Sequence, residues 1–383
     1  MNVGILFPAS TAHPNVGLDF MNGLRAYLKE HNISEHITFF SESIGIGGSE
    51  KEVYEKAEKL MMMDDVDMLL AYVDERVLDM LKPLMHAAGK LMIVINPGAN
   101  YPLNWVPQDN IIHLTLQQAF CCWQTGKLAA QEENKTAATA STFYDCGYLH
   151  SAAMVKHFAN AGGSVNFNYI NNDKYDDSFG IQPLTGYINA TGEAVNLLCT
   201  FDTLPASLLY GLLKKEEAAE KIKLFVSPMM LEKEALESNG GDFPFSISGY
   251  TSWLAGAPHA GNATFGDAYT KKSRSAPGIF AVLGWEAGML LEAVVKKGGK
   301  DVTNGAALVD MIRSERFEGP RGTLKLDPET HYFLGALALC TLPAHGTELQ
   351  TTWTDDYEAG WKAFTEEKTG GSISGWTNTY LCY

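Results

Sequence analysis

Cysteine is scarce in this chain: six in 383 residues, with no Cys-x-x-Cys pair, which excludes a disulfide scaffold and the usual thiolate metal sites. Cys121 and Cys122 are adjacent inside a helical pattern from Gln117 to Gln131, where plain packing is expected rather than a strained vicinal bridge. Basic residues are also few, 29 Lys and Arg against 45 Asp and Glu, and none of them form a run. A formal charge of −16 without a basic stripe offers nothing to a phosphate backbone, so nucleic acid is not an expected partner. The longest apolar stretch, Ile279 to Val295, is interrupted by Gly284, Glu286, Gly288 and Glu292, and no insertion into a membrane is expected of it.

The motifs of common catalysts are absent too. There is no G-x-S-x-G elbow, no Walker A loop and no H-E-x-x-H. Of ten histidines only His150 and His157 fall close together on one predicted helix, seven residues apart and without a third ligand. Asp173, Asp176 and Asp177 crowd one loop but lack the glycine and distal glutamate of a calcium loop, and read as a solvated turn. The cluster Gly45-Ile46-Gly47-Gly48 is too short for a dinucleotide fingerprint and leads into a helix start at Ser49-Glu50. No catalytic residue, metal or cofactor is therefore expected, and the chain does not read as an enzyme. Nothing before Val3 has the form of an export leader, so the expectation is a signal already removed, or else a cytoplasmic protein.

What the chain does have is ample core material, 46% hydrophobic against 19% charged, in a length that calls for two domains. Apolar runs alternate with amphipathic patterns: Val3 to Phe7, Ile37 to Phe40, Val66 to Tyr72 and Leu91 to Asn96 are predicted strands, each followed or separated by helical stretches. A second series restarts at Thr136 to Phe143 and continues through Ser164 to Ile170, Val195 to Phe201 and Lys223 to Val226. Strands spaced by helices of this length imply βαβ units and parallel sheets covered on both faces. The predicted class is α/β, with two doubly wound parallel-sheet lobes.

Toward the C-terminus a long apolar helix containing Trp285-Glu286-Ala287 stops at Gly298-Gly299, and Gly319-Pro320-Arg321-Gly322 then turns into a period-two run ending at Asp327. This order of elements resembles the closing segment of type I solute-binding proteins, of which the branched-chain amino-acid-binding proteins are the best known. The likeness extends through Val3 to Tyr27, Asp67 to Gly98, Phe143 to Val165 and Gly249 to Asp327. It implies a three-crossing hinge, with lobe one formed by residues 1–115 plus 248–325 and lobe two by 116–247 plus 326–383. It further implies an exported receptor that passes a small molecule, an amino acid, amide or related polar compound, to the membrane permease of an ABC importer. The alternative is a cytoplasmic ligand-sensing regulator of the same fold, like the amide sensors of the superfamily.

Open α/β sheets bind ligands beyond the C-terminal ends of their strands. The residues there, in the order of the family's ligand loops, are Ser10, Thr11 and His13 after the first strand, Asp74 and Glu75 after the third, and Ala99, Asn100 and Tyr101 after the fourth. In lobe two they are Tyr144 and Tyr148, with Asp145 between them, then Phe201 and Asp202, then Pro228 and Met229. Amino-acid-binding relatives carry small hydroxyl residues where this chain has Asp74-Glu75. A ligand carboxylate within about 4 Å of Asp74 would meet repulsion of about 4 kcal/mol at an effective dielectric of 20. A neutral or cationic ligand is the resulting expectation, unless both acids turn away as helix caps.

Overall fold

A computed structural model describes residues 1–143, 149–176, 178–191, 194–299 and 302–367. Tyr144, Asp145 and Tyr148 lie outside the described residues. The chain divides into two compact units: residues 1–116 with 255–336, and residues 117–254 with 337–367 among those described. The expected boundary at 247/248 falls inside a strand of the second unit, and the expected one at 325/326 inside a strand of the first.

The first segment runs β1 (Asn2–Phe7), α1 (Val16–Glu30), β2 (Thr38–Ser43), α2 (Glu50–Met62), β3 (Met68–Tyr72), α3 (Glu75–Ala88), β4 (Leu91–Asn96) and β5 (Ile111–Thr115). The strands form one parallel sheet in the order β2-β1-β3-β4-β5. Apolar residues of β3 and β4 are buried on both faces, which is why these runs are continuous rather than alternating. Ser49 caps α2 by accepting from the Glu52 amide at 3.3 Å, as its Ser-Glu start suggests.

The second unit begins with α4 (Gln118–Ala129), β6 (Thr136–Thr142), α5 (Leu149–Asn160), β7 (Ser164–Asn171), α6 (Gln182–Thr191), β8 (Val195–Thr200), α7 (Thr203–Leu213), β9 (Ile222–Val226), α8 (Lys233–Glu237) and β10 (Ser246–Thr251). The chain then returns to unit 1 with α9 (Ala260–Ser273), α10 (Ile279–Lys297), α11 (Gly305–Arg313), β11 (Phe317–Gly319), β12 (Gly322–Leu326) and β13 (Phe333–Leu334). It finishes in unit 2 with β14 (Leu337–Leu342), β15 (Gln350–Thr354) and α12 (Glu358–Glu366). The second sheet is ordered β15-β14-β10-β9-β8-β6-β7, parallel from β10 to β7, with β14 and β15 added antiparallel.

Each sheet is covered on both faces. In unit 1, α2 and α3 pack Val53, Leu60, Leu78 and Leu81 against Leu69, Ala71 and Val94. On the other face α1 and α10 approach so closely that a Cβ on Gly23 would lie 2.1 Å from the Ala281 carbonyl, and one on Gly284 2.0 Å from that of Phe20. Backbone contact of this kind admits only glycine. Unit 2 repeats the device: a Cβ on Gly126 of α4 would sit 2.2 Å from the Met154 carbonyl of α5. Cys121 and Cys122 are both buried in α4.

The Gly-Pro-Arg-Gly sequence forms the two-residue turn of the β11–β12 hairpin, with Gly319 opposite Gly322. Gly322 has φ +78°, which suits a residue without a side chain. Arg321 at the turn is fully buried, and its Nε and Nη2 donate to the two carboxylate oxygens of Glu286 at 2.9 and 2.7 Å. The hairpin is thereby fastened to α10 by a two-pronged ion pair shielded from water. Both halves of the pair belong to the motifs that carried the resemblance.

Candidate functional site

The strand orders locate a site in each unit. In β2-β1-β3-β4-β5 consecutive connections leave β1 in opposite directions, so the crevice lies between the C-terminal ends of β1 and β3. The same pattern recurs in unit 2 as β7-β6-β8-β9-β10, with its crevice between β6 and β8. Of the described residues expected from sequence, Ser10, Thr11 and His13 follow β1, Asp74 and Glu75 follow β3, and Phe201 and Asp202 follow β8, while Ala99, Asn100 and Tyr101 follow β4 and Pro228 and Met229 follow β9.

In unit 1, the β1 loop is shaped by a bond from the His13 amide to Ser10 Oγ at 2.9 Å, and the His13 ring meets Phe280 of α10 edge-on at 5.0 Å. Thr11 is exposed and Ala99 is buried. Asp74 and Glu75 are both buried, but they diverge. Asp74 occupies the N-cap position of α3, yet its side chain caps no helix amide; instead Asn100 Nδ2 from the β4 loop donates to its Oδ2 at 3.1 Å. Glu75 accepts a hydrogen bond from the Tyr332 hydroxyl and lies 3.3 Å from His113 Nδ1. Neither acid is therefore a side-chain helix cap, and only Asp74 is joined to another of the expected ligand-loop residues.

Burial alone would raise the Glu75 carboxyl, but His113, the Tyr332 hydroxyl and Lys82 together more than offset it and hold the group below its ordinary value. Burial, then the adjacent Glu75 charge, push the Tyr332 phenol well above its usual range. His113 stacks on Tyr332 at 4.1 Å, Trp105 meets Tyr332 edge-on at 5.3 Å, and Tyr101 stacks on Trp105 at 6.0 Å. This column fixes loop 101–108, and a cleft beneath it is lined by Glu75, Lys82, Trp105, Gln108, His113 and Tyr332. Tyr101 is thus part of an aromatic stack. His113 and Tyr332 went unrecognised in the sequence, where nothing signals that a residue 257 positions from Glu75 completes its hydrogen bonding.

In unit 2, Asp202 caps α7 by accepting from the Thr203 amide at 2.7 Å. Phe201 is fully buried in the core with Leu209, Tyr210 and Met230. Pro228 and Met229 are buried in the short turn after β9. Among the described residues no group of three or more His, Cys, Asp and Glu could hold a metal, and no helix is long and apolar enough to cross a membrane. Asp173 and Asp176 accept from the Gly180 and Ser178 amides, which is turn geometry.

A family model described as periplasmic binding protein matches residues 1–347. The chain belongs to the periplasmic binding protein family. Its two-unit α/β architecture is that of the type I members. The solute-binding protein of an ABC transporter from Rhodopseudomonas palustris BisB5, solved with 3,4-dihydroxybenzoic acid, is 20% identical, with 92% of this chain and 96% of that one covered and a TM-score of 0.73. A branched-chain amino acid transporter substrate-binding protein, LivJ of Streptococcus pneumoniae, solved with isoleucine, is 14% identical over 92% and 99% of the chains, with a TM-score of 0.67. The leucine-binding protein LivK of Thermotoga maritima is 14% identical over 93% and 99%, with a TM-score of 0.65. No curated protein matches the chain.

Proposed function

We propose that this periplasmic binding protein is the solute receptor of an ABC importer, working in the periplasm or outside the cell after loss of an export signal. It takes one small polar organic molecule, an amino acid, amide or related compound, and delivers it unchanged to a membrane permease. The observation that carries the reading is the repeated strand order, which sets a ligand crevice at the β1/β3 ends of one unit and the β6/β8 ends of the other, in a chain matched by the family over most of its length. The similarity to the solute-binding protein of an ABC transporter from Rhodopseudomonas palustris BisB5 supports the importer assignment.

On this reading Ser10, Thr11, His13, Asp74, Ala99 and Asn100 form the contribution of unit 1, with Tyr101 behind them. Tyr144, Tyr148, Asp202, Pro228 and Met229 form that of unit 2. Glu75 acts one step back, holding the β3 loop against β5 and β13. Ligand shifts an equilibrium between open and closed forms, with no covalent step. Because relatives have been solved with aromatic acids as well as with an aliphatic amino acid, both classes belong in the test. Calorimetry with aliphatic amino acids, their amides and hydroxybenzoates is expected to find one 1:1 binder, accompanied by a smaller radius of gyration in solution scattering. Binding without compaction would remove hinge closure from the account.

A further inference from the structure

Tyr72, the last residue of β3, stands beside Asp74 at the β1/β3 switch point. Alternation along the extended chain sends Val73 into the core beneath α2 and α3, and Tyr72 and Asp74 to the opposite face, where Tyr72 meets Phe20 of α1 edge-on at 6.3 Å. Tyr72 is 3% exposed, and its hydroxyl has no hydrogen-bond partner among the described residues. Asp74 is 4% exposed and is held by Asn100. A buried hydroxyl left without a partner is costly, and in native proteins such a group marks the place of a water or a ligand. Burial and then the charge of Asp74 keep the phenol well above its usual range, so Tyr72 is a neutral donor at any physiological pH.

Resting on the solute-receptor reading, we propose that Tyr72 and Asp74 form a two-point subsite for a neutral ligand group that both accepts and donates a hydrogen bond, such as a carboxamide. The amide carbonyl accepts from the Tyr72 hydroxyl, the amide N–H donates to the Asp74 carboxylate, and Asn100 steadies that carboxylate from the β4 side. A ligand carboxylate satisfies Tyr72 but sets a second negative charge against Asp74. An ammonium group satisfies Asp74 and leaves Tyr72 unanswered. The carboxamide answers both.

The test uses two matched series, on an isoleucine and on a benzene scaffold, each carrying carboxylate, carboxamide or amine, titrated calorimetrically into wild type, Tyr72→Phe and Asp74→Asn. Tyr72→Phe removes one oxygen and leaves the ring packing, and thermal midpoints confirm that each variant is folded. The expected result is tightest wild-type binding by a carboxamide, about tenfold weaker in Tyr72→Phe, the worth of one hydrogen bond. Amine binding is expected to stay within about twofold in that variant, since the amine does not use the hydroxyl. Asp74→Asn is expected to strengthen the carboxylates. Amide binding indifferent to Tyr72→Phe would show that the hydroxyl meets only water and would overturn the proposal. Carboxylates binding tightest and unaffected by either substitution would overturn it as well, while leaving the solute-receptor reading intact. Failure of all six compounds beside tight binding of a solute lacking a donor-acceptor group overturns the subsite alone; failure of every solute class overturns the receptor reading itself.

Discussion

Replacing Arg321 with methionine leaves the Glu286 carboxylate, on the buried face of α10, without its cation. In the native protein Glu286 accepts two charge-assisted bonds at 2.9 and 2.7 Å, and both side chains are wholly shielded from solvent. Removing one partner of such a pair typically costs about 3–5 kcal/mol, because the remaining charge keeps its desolvation penalty and loses its compensation. Against a stability of about 5–15 kcal/mol for an ordinary domain, that is a large share for unit 1. Removing both charges, as Glu286→Leu with Arg321→Met, is expected to recover most of the loss or exceed wild type, since well-packed apolar replacements of buried pairs are often neutral or stabilising by about 1–4 kcal/mol. Urea unfolding read by tryptophan fluorescence suits the measurement, because Trp285 precedes Glu286 and packs against Tyr27 and Phe265 at 5.0 and 5.4 Å. A single variant within about 1 kcal/mol of wild type would refute the reasoning, as would a double variant no better than the single.

The close helix contact in unit 2 predicts that Gly126→Ala, whose new methyl would meet the Met154 carbonyl at 2.2 Å, destabilises that unit by about 1–3 kcal/mol in urea titration, and an unchanged midpoint would contradict the contact. Glu75 is held below its ordinary pKa in the folded state, so its contribution is present above the unfolded carboxylate value of about 4.3 and disappears as pH falls through the lower folded value. The stability gap between wild type and Glu75→Gln should accordingly be widest near neutrality and close in acid; a gap that widens in acid would reverse the assignment. Tyr332→Phe takes away the hydroxyl that serves Glu75 and should cost about 1–3 kcal/mol at pH 7, read from the same titrations, with little cost expected once Glu75 is protonated.

Much of the architecture was legible because it rests on local signals. Val3 to Phe7, Val66 to Tyr72 and Leu91 to Asn96 read as buried strands from their unbroken apolar runs, and Gly319-Pro320-Arg321-Gly322 reads as a turn from its residues. The edge of the first sheet was harder: β5 carries His113 in mid-strand, and only the fold gives that histidine a partner in Glu75. β10 looked like the entry to the first unit, yet it pairs with β9 and belongs to the second, a choice made by strand pairing that no local pattern encodes. β14 and β15 were missed because antiparallel strands near the end of the chain have no intervening helices to punctuate them. In the candidate site, sequence put Asp74 and Glu75 together in one loop; it could not show that adjacent carboxylates turn to different partners, one toward Asn100 and the other toward Tyr332. Phe201 was placed by its position after β8, and its burial in the core of the second unit became visible only in the fold.

The central claim, that this chain binds a small solute and releases it unchanged, is tested most directly by thermal denaturation of the full chain across a library of amino acids, amides, amines and aromatic acids, with each solute recovered and identified afterwards. The account predicts at least one compound that stabilises the protein in a saturable 1:1 manner, by about 2.7 kcal/mol at a hundred times its Kd, and is recovered chemically intact. Stabilisation by none of them, or recovery of the stabilising compound as a different molecule, would contradict it.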